Sequence, residues 1–194
     1  MIRKATLPRQ VRIIAGLWKR TPLPVIEASG LRPTPDRVRE TVFNWLEHLQ
    51  DRQWQNRRCL DLFAGTGALG FEAASRGAAK VVMVESNPLA CKALHATRDK
   101  LDANQIEIIQ GDAASRIGLI EGAFDVVFLD PPYDDHLLPK FLPACQRLLT
   151  PDGFLYIESN LPFADFPLPA WLSGWQLVRA DKAGAVHFAL LSQQ

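Results

Sequence analysis

The chain has 194 residues, of which 47% are hydrophobic and 22% charged, and its formal net charge is +1. These values describe an ordinary globular protein of about one domain. No apolar run approaches the roughly 18 residues of a membrane span, and no apolar segment follows the N-terminus as it would in a signal peptide.

The three cysteines, Cys59, Cys91 and Cys145, lie far apart in the sequence and form no CxxC pair. An odd and scattered count argues against a disulfide framework and against a zinc site. We therefore expect reduced, buried thiols in a cytoplasmic protein that holds no metal.

The charge is distributed unevenly along the chain. Residues 1–40 carry nine Lys or Arg against three acids, a balance of +6, whereas the other residues carry 13 against 18, a balance of −5. A basic arm on a mildly acidic body is typical of a protein whose one end meets a polyanion, although solvated surface charge gives the same pattern.

The predicted elements begin with a weakly alternating segment, residues 11–26, which suggests a short hairpin. Thr34-Pro35-Asp36 then predicts the start of a helix that extends to about Leu49. Beyond a polar link, strands alternate with helices. The predicted strands cover residues 59–63, 80–84, 106–109, 124–129 and 154–158, with a final pair at 175–179 and 185–191. The predicted helices cover residues 68–76, 87–101, 113–119 and 137–149, the last of them broken or delayed by Pro139 and Pro143.

This alternation predicts an α/β fold, with a mostly parallel sheet covered by helices and an antiparallel hairpin at its end. We expect residues 1–50 to form a basic extension of hairpin and helix, packed on a catalytic domain of residues 51–194. Ligands of such sheets bind outside the carboxyl ends of the strands, so those ends are the candidate site.

A glycine-rich turn follows the first of these strands. Gly65, Gly67 and Gly70 fit the spacing G-x-G-x-x-G between a strand and a helix, and Glu85 ends the next strand 20 residues after Gly65. This is the nucleotide-binding fingerprint together with its ribose-binding acid. The predicted cofactor-binding residues are Asp61, Phe63, Ala64, Gly65, Thr66, Gly67, Glu85, Ser86, Asp112, Ala113 and Asp130.

Charge favours S-adenosyl-L-methionine over a dinucleotide at this turn. Asp61, Glu85 and Asp112 lie at the tips of three predicted strands, and no Lys or Arg lies between Asp61 and Arg76. Carboxylates suit a net positive ligand with a sulfonium and an ammonium better than they suit a pyrophosphate. We expect Asp61 to face the ammonium, Glu85 the ribose hydroxyls and Asp112 the adenine amine.

The predicted catalytic residues are Asp130, Pro131, Pro132 and Tyr133, which follow the buried strand 124–129. The prolines fix the backbone and lack N–H groups, so the Asp130 carboxylate and the Pro131 carbonyl form a surface that only accepts hydrogen bonds. Such a surface suits an NH₂ group of a base, on which Tyr133 is expected to stack.

Five segments resemble the RsmD family of 16S rRNA guanine-N2 methyltransferases, and the resemblance extends from Arg12 to the end of the chain. They are residues 12–16 (RIIAG), 30–34 (GLRPT), 36–41 (DRVRET), 61–70 (DLFAGTGALG) and 128–133 (FLDPPY). The Gly turn and DPPY are shared by many methyltransferases, whereas the arginine-rich segment 30–41 is much more specific. Position 133 is Tyr where Phe is also common, and the N-terminus before Arg12 is somewhat longer.

The resemblance implies the Rossmann-like, seven-stranded class I methyltransferase fold and S-adenosylmethionine as cofactor. It also implies methylation of one guanine of 16S rRNA in the assembling or assembled small ribosomal subunit, by a protein that we expect to be a monomer. The arginines expected to contact RNA phosphates or the cofactor carboxylate are Arg12, Arg32, Arg37 and Arg39.

The residues alone leave three other functions open, one of which is an inactive RNA-binding or assembly factor, although the intact acids at the strand ends argue against it. DPPY also occurs in adenine-N6 methyltransferases, so Asp130 does not choose the base. An NAD-binding oxidoreductase would fit the Gly turn, but it would leave DPPY and the basic arm unexplained.

Overall fold

The computed structural model describes residues 10–26, 34–132, 137–160, 162–163 and 170–194. Within these residues a small hairpin and a helix precede a sheet that is flanked by helices. The strands are β1 (Gln10–Arg12), β2 (Pro22–Pro24), β3 (Arg58–Asp61), β4 (Lys80–Glu85), β5 (Ile106–Gln110), β6 (Phe124–Leu129), β7 (Leu149–Ser159), β8 (Trp175–Ala183) and β9 (Val186–Gln193). The α-helices are α1 (Asp36–Leu49), α2 (Ala68–Ser75), α3 (Pro88–Lys100), α4 (Ala113–Arg116) and α5 (Leu138–Leu148), and 3₁₀ turns cover Ile117–Leu119 and Ala170–Leu172.

The seven-stranded sheet has the strand order β5-β4-β3-β6-β7-β9-β8. Strands β3 to β7 are parallel, and β9 is antiparallel to both β7 and β8. The strand order reverses between β3 and β6, which is where open sheets of this kind bind ligands. The predicted α/β fold with a terminal antiparallel hairpin is confirmed.

Both faces of the sheet are buried, as in other parallel sheets that helices cover on each side. Along β6, Val126 and Phe128 belong to one apolar cluster, whereas Val127 and Leu129 belong to the other. None of the helices in the described part of the chain has the length and apolar character that crossing a bilayer demands.

The hairpin and α1 share one of these cores with the sheet. Val11 and Leu23 of the hairpin and Val38 and Phe43 of α1 lie in the same buried cluster as Phe71 of α2. The structure thus packs the extension on the sheet, while its division from the rest at residue 50 stays a prediction.

A buried carboxylate fixes the hairpin to α2. Glu72 is fully buried and accepts hydrogen bonds from the backbone N–H groups of Ile14 (2.6 Å) and Ala15 (3.1 Å). Ser75, one turn further along, donates to the Ala15 carbonyl oxygen and accepts from Trp18 N–H. The family-like segment 12–16 therefore docks on the helix that follows the Gly turn.

Two elements differ from the sequence predictions. Helix α5 continues through Pro143 although a proline inside a helix costs about 3 kcal/mol. It buries Leu138, Phe141, Leu142, Cys145 and Leu148, and this burial outweighs that cost. Strand β7 begins at Leu149, directly after α5, because Leu149 pairs with Phe124 ahead of an irregularity in the ladder.

We predict that Gly16→Ala strongly destabilises the fold. Gly16 has φ +79°, and a Cβ there would lie 1.9 Å from the carbonyl oxygen of Ser75. The left-handed backbone and a clash with backbone atoms together should lower the free energy of unfolding by about 2–4 kcal/mol. Urea denaturation measures this as a lower midpoint.

Gly184→Ala is the matched control, since Gly184 has φ +63° but nothing within 4 Å of an added Cβ. It should cost only about 1 kcal/mol, the strain of the backbone alone. An equal loss of unfolding free energy in the two variants would show that Gly16 is not in close contact with Ser75.

Candidate active site

The carboxyl ends of β5, β4, β3 and β6 lie side by side at one edge of the sheet. In the strand register, Asp61 pairs with Met83 of β4 and Phe128 of β6, while Glu85 pairs with Gln110 of β5. The predicted site residues at the ends of these four strands are therefore neighbours. They surround the point at which the strand order reverses.

Asp61, the last residue of β3, is 1% exposed and carries a buried oxygen without a partner. Its Oδ2 accepts from Gly70 N–H at 3.2 Å, whereas Oδ1 has no hydrogen-bond partner within the described residues. Burial raises the pKa of Asp61 to about 7, and the Glu85 carboxylate adds to this, against hydrogen bonds from the Phe63 and Gly70 backbone. Among the residues that the structure describes, no positive group pairs with this carboxyl group.

The Gly turn connects β3 to α2 in a geometry that requires glycine. Gly67 precedes α2 with φ +76°, and a Cβ there would meet Phe71 at 2.6 Å. A Cβ on Gly70 would meet the sulfur of Met83 in β4 at 2.6 Å, so Gly70 permits close packing of the helix on the strand. Ala64 N–H, ahead of the turn, donates to the Val84 carbonyl oxygen.

Glu85 holds the turn from the end of β4. It is 7% exposed, and its Oε2 accepts from Gly65 N–H while its Oε1 accepts from Asn87 N–H, both at 2.7 Å. Each carboxylate oxygen has a second lone pair, so these bonds leave acceptor capacity for a ligand. Ser86, which follows, is exposed.

The end of β5 presents Asp112 as the N-cap of α4. Its Oδ1 accepts from the backbone N–H and the hydroxyl of Ser115, and the residue is exposed. Ala113, which begins α4, is buried. Beside β3, Phe63 is half-buried and lies edge-on to Phe141 of α5.

Asp130 follows β6 and receives a hydrogen bond from outside the sheet. The hydroxyl of Thr34 donates to its Oδ2 at 3.0 Å. Burial of the carboxyl group raises the pKa of Asp130 well above its usual value, the Glu158 and Asp61 carboxylates add to this, and the Thr34 hydrogen bond opposes it. Pro131 is half-buried and Pro132 exposed, whereas Tyr133 lies outside the described residues.

Two residues of β7 belong to this site although sequence reasoning did not select them. Tyr156 is fully buried, and its hydroxyl donates to Glu158 Oε1 at 2.6 Å. Burial raises the pKa of Tyr156, and the carboxylates of Glu158 and Asp130 add to it. Glu158 lies at the end of a predicted strand, as the other acids do. This position in the sequence could have identified it as a site residue.

The four arginines predicted to contact RNA are placed differently. Arg12 and Arg37 are exposed, with Arg12 Nε 3.2 Å from Asp36 Oδ2, and Arg32 lies outside the described residues. Arg39 is fully buried, and its Nη2 donates to Asp36 (2.7 Å) and to the Arg12 carbonyl oxygen (3.0 Å), whereas its Nε and Nη1 have no partner among the described residues. Its guanidinium joins α1 to β1, a place that disfavours contact with a surface phosphate, and the predicted contact with the cofactor carboxylate stays a prediction.

Comparisons with known proteins assign the family. The family described as Conserved hypothetical protein 95 matches residues 11–192. Ribosomal RNA small subunit methyltransferase D of Escherichia coli strain K12 is 36% identical over 188 residues, which cover 95% of this chain and 91% of that protein. The protein of the same name from Haemophilus influenzae is 38% identical over 187 residues, 93% of each chain. The chain belongs to the RsmD family.

A solved structure agrees with this assignment. The proposed methyltransferase yhhF of Escherichia coli superposes with a TM-score of 0.80 at 33% identity, covering 95% of this chain and 98% of that one. As an RsmD-family member with the class I fold, the protein is a methyltransferase, which confirms the resemblance seen in the sequence.

The site fits S-adenosylmethionine, the cofactor that the class I fold and the RsmD relatives imply. The decisive feature is the buried Oδ1 of Asp61, which has no partner among the described residues. An ammonium group of the ligand would provide both the missing hydrogen bond and the missing positive charge.

We predict that cofactor binding releases a proton from Asp61. Without ligand, the pKa of Asp61 is raised to about 7, so about half of these groups carry a proton near pH 7. An ammonium partner favours the carboxylate and lowers this pKa, so binding near pH 7 should release on the order of half a proton. Titration calorimetry with S-adenosylhomocysteine, which keeps the ammonium, measures this in two buffers of different ionisation enthalpy. As the pH falls below 7 the affinity should fall.

Asp61→Asn should bind the ligand more weakly and release no proton. Asp181→Asn removes an exposed carboxylate on β8 and should match the wild type. Unchanged proton release in Asp61→Asn would assign the titrating group elsewhere.

Proposed function

We propose that this protein transfers a methyl group from S-adenosylmethionine to the exocyclic N2 amine of a guanine in bacterial 16S rRNA, in the assembling or assembled small subunit. The observation that carries the proposal is the position of Asp130 and Pro131 at the end of β6, next to Asp61 at the end of β3. A site for an amine thereby adjoins a site for a cationic methyl donor. The RsmD relatives named for small-subunit rRNA support this substrate.

The group at the end of β6 accepts hydrogen bonds and donates none. An amine on an aromatic base is a poor nucleophile because its lone pair is delocalised into the ring. Hydrogen bonds from that amine to the Asp130 carboxylate and the Pro131 carbonyl favour a tetrahedral nitrogen with a localised lone pair. Asp130 and Pro131 thus act by positioning and by electrostatics.

Guanine suits an ionised Asp130 better than adenine does. Guanine presents N1–H and N2–H side by side, so one carboxylate accepts from both. Adenine pairs its amine with an acceptor nitrogen, for which an amide is the better partner. The base is flipped into the pocket, where Tyr133 is proposed to stack on it.

The methyl donor is proposed to lie along the ends of β3, β4 and β5. When bound it supplies an electrophilic sulfonium methyl. Asp61 pairs with its ammonium, Glu85 accepts from the ribose hydroxyls, and Asp112 accepts from the adenine amine through the oxygen that does not cap α4. Residues 63–67 cover it with the Gly turn, and Ser86 and Ala113 border it.

Arg12 and Arg37 are proposed to contact RNA phosphates, because both are exposed on the basic extension. Arg32 remains a candidate from the sequence. An rRNA substrate also supports a cytoplasmic location, and the monomeric state stays a prediction.

We predict that Asp130→Asn lowers the rate of methyl transfer at least 100-fold, because the amide presents donors to the amine and loses the charge. The assay uses labelled S-adenosylmethionine and small subunits from a bacterium that lacks the corresponding methyltransferase. Mass spectrometry of the digested rRNA should find N2-methylguanosine. N6-methyladenosine in its place would overturn the choice of guanine.

We predict that Arg37→Gln weakens binding of the small subunit. Losing one phosphate contact should raise KM severalfold and reduce the salt dependence of binding by about one unit of slope. Lys100→Gln makes the same charge change at the exposed end of α3 and should leave KM unaltered. Equal effects of the two variants would show that only net charge matters.

A further inference from the structure

Thr34 makes a contact that its place in the sequence does not foretell. A threonine just before a helix usually caps it, but the N-cap of α1 is Pro35 and makes no side-chain cap hydrogen bond. The Thr34 hydroxyl donates instead to Asp130 Oδ2 at 3.0 Å, across 96 positions of the chain. Thr34 is only 7% exposed, so water competes little for this bond.

The surroundings of Asp130 give this bond its importance. The Glu158 and Asp61 carboxylates oppose ionisation of Asp130, and the phenol of Tyr156, also on β7, lies in the same buried group. Among the described groups that act on Asp130, the Thr34 hydroxyl is the one that favours the carboxylate. A hydroxyl that donates to one oxygen also fixes the rotation of the carboxylate plane.

We propose that Thr34 is a positioning residue for methyl transfer, whose hydroxyl holds Asp130 in the orientation and charge state that accept the hydrogens of the target amine. The proposal rests on the function proposed above. It adds a residue of the N-terminal extension to a site otherwise built from the ends of sheet strands.

The fold holds Thr34 firmly enough for this role. Helix α1, which begins two residues later, buries Val38 and Phe43 in the core beneath the sheet. Arg39 ties the first turn of α1 to the Arg12 carbonyl oxygen and to Asp36. The hydroxyl therefore has a fixed support on one side and Asp130 on the other.

The hydrogen bond also bears on the choice of base. An ionised Asp130 accepts from both N1–H and N2–H of guanine, whereas a neutral carboxyl group presents a donor, which suits the acceptor nitrogen beside the amine of adenine. By favouring the carboxylate, Thr34 favours guanine. Removing its hydroxyl should therefore reduce guanine methylation most at low pH.

The test compares Thr34→Val and Thr34→Ser with the wild type in single-turnover methyl transfer to small subunits over a range of pH. Activity needs the ionised Asp130, so it falls as the pH drops through the pKa of that group. In Thr34→Val this fall in activity should occur about one pH unit higher, and at pH values within the fall the rate should be about tenfold lower than in the wild type. Thr34→Ser should restore both, and the affinity for S-adenosylhomocysteine should remain unchanged in each variant.

Thr41→Val is the matched control. The Thr41 hydroxyl donates to the Arg37 carbonyl oxygen within the same helix and does not contact Asp130. This variant should keep the wild-type pH profile. Urea midpoints identify any general loss of stability, and a profile shifted equally in Thr41→Val and Thr34→Val would overturn the proposal.

A titration without RNA separates this proposal from the function on which it rests. Carbon-13 NMR of the carboxyl groups, with the Asp130 signal assigned from Asp130→Asn, follows ionisation directly. A higher midpoint of the Asp130 titration in Thr34→Val supports the positioning role of Thr34. This holds even if the wild type forms no N2-methylguanosine, because that second result would overturn only the proposed substrate. Identical Asp130 titrations in wild type and Thr34→Val would overturn the role of Thr34.

Discussion

Asp61, Asp130 and Glu158 lie at the carboxyl ends of three adjacent strands, β3, β6 and β7, where Asp61 and Glu158 are buried and Asp130 is half-buried. Burying like charges together is unfavourable unless donors or cations compensate them. The fold supplies neutral donors, namely Gly70 N–H, the Thr34 hydroxyl and the Tyr156 hydroxyl. Among the described residues, these donors add no positive charge at the strand ends. This constraint agrees with the proposed ligands, a cationic methyl donor and an amine, because both are rich in hydrogen-bond donors.

The N-terminal extension contributes to the candidate site, and the proposed function also makes it a platform for RNA. Glu72 joins the hairpin to α2, which follows the Gly turn. Arg39 joins the hairpin to α1, and Thr34, which precedes α1, joins this part of the extension to Asp130. An extension docked at these three points holds its exposed arginines in a fixed position relative to Asp130. Phosphate contacts made by such a rigid extension would define which base reaches the pocket.

Local patterns predicted the sheet well, since Phe124–Leu129 is a mostly apolar run, interrupted by Asp125, that is followed by an acid and two prolines. They also located the Gly turn, because the spacing of its glycines is enough to predict its geometry. They were wrong where a contact between residues far apart in the sequence determines the local structure. Pro143 does not break α5 because residues on both sides of the proline are buried in the core. Thr34 and Arg39 look like a helix cap and a surface arginine, and only their tertiary partners show otherwise.

The basic extension and the acidic strand ends perform separate electrostatic tasks. Under the proposed function, exposed Arg12 and Arg37 would act through solvent on a polyanion, so their effect would depend on salt. The carboxylates of Asp61 and Asp130 act at contact distance in a medium that water screens poorly, so their effect depends on pH. Buried Arg39 differs from both groups, because its Nη2 donates to Asp36 and to a backbone carbonyl while its Nε and Nη1 have no partner among the described residues. Salt should therefore alter RNA binding, whereas pH should alter cofactor binding and methyl transfer.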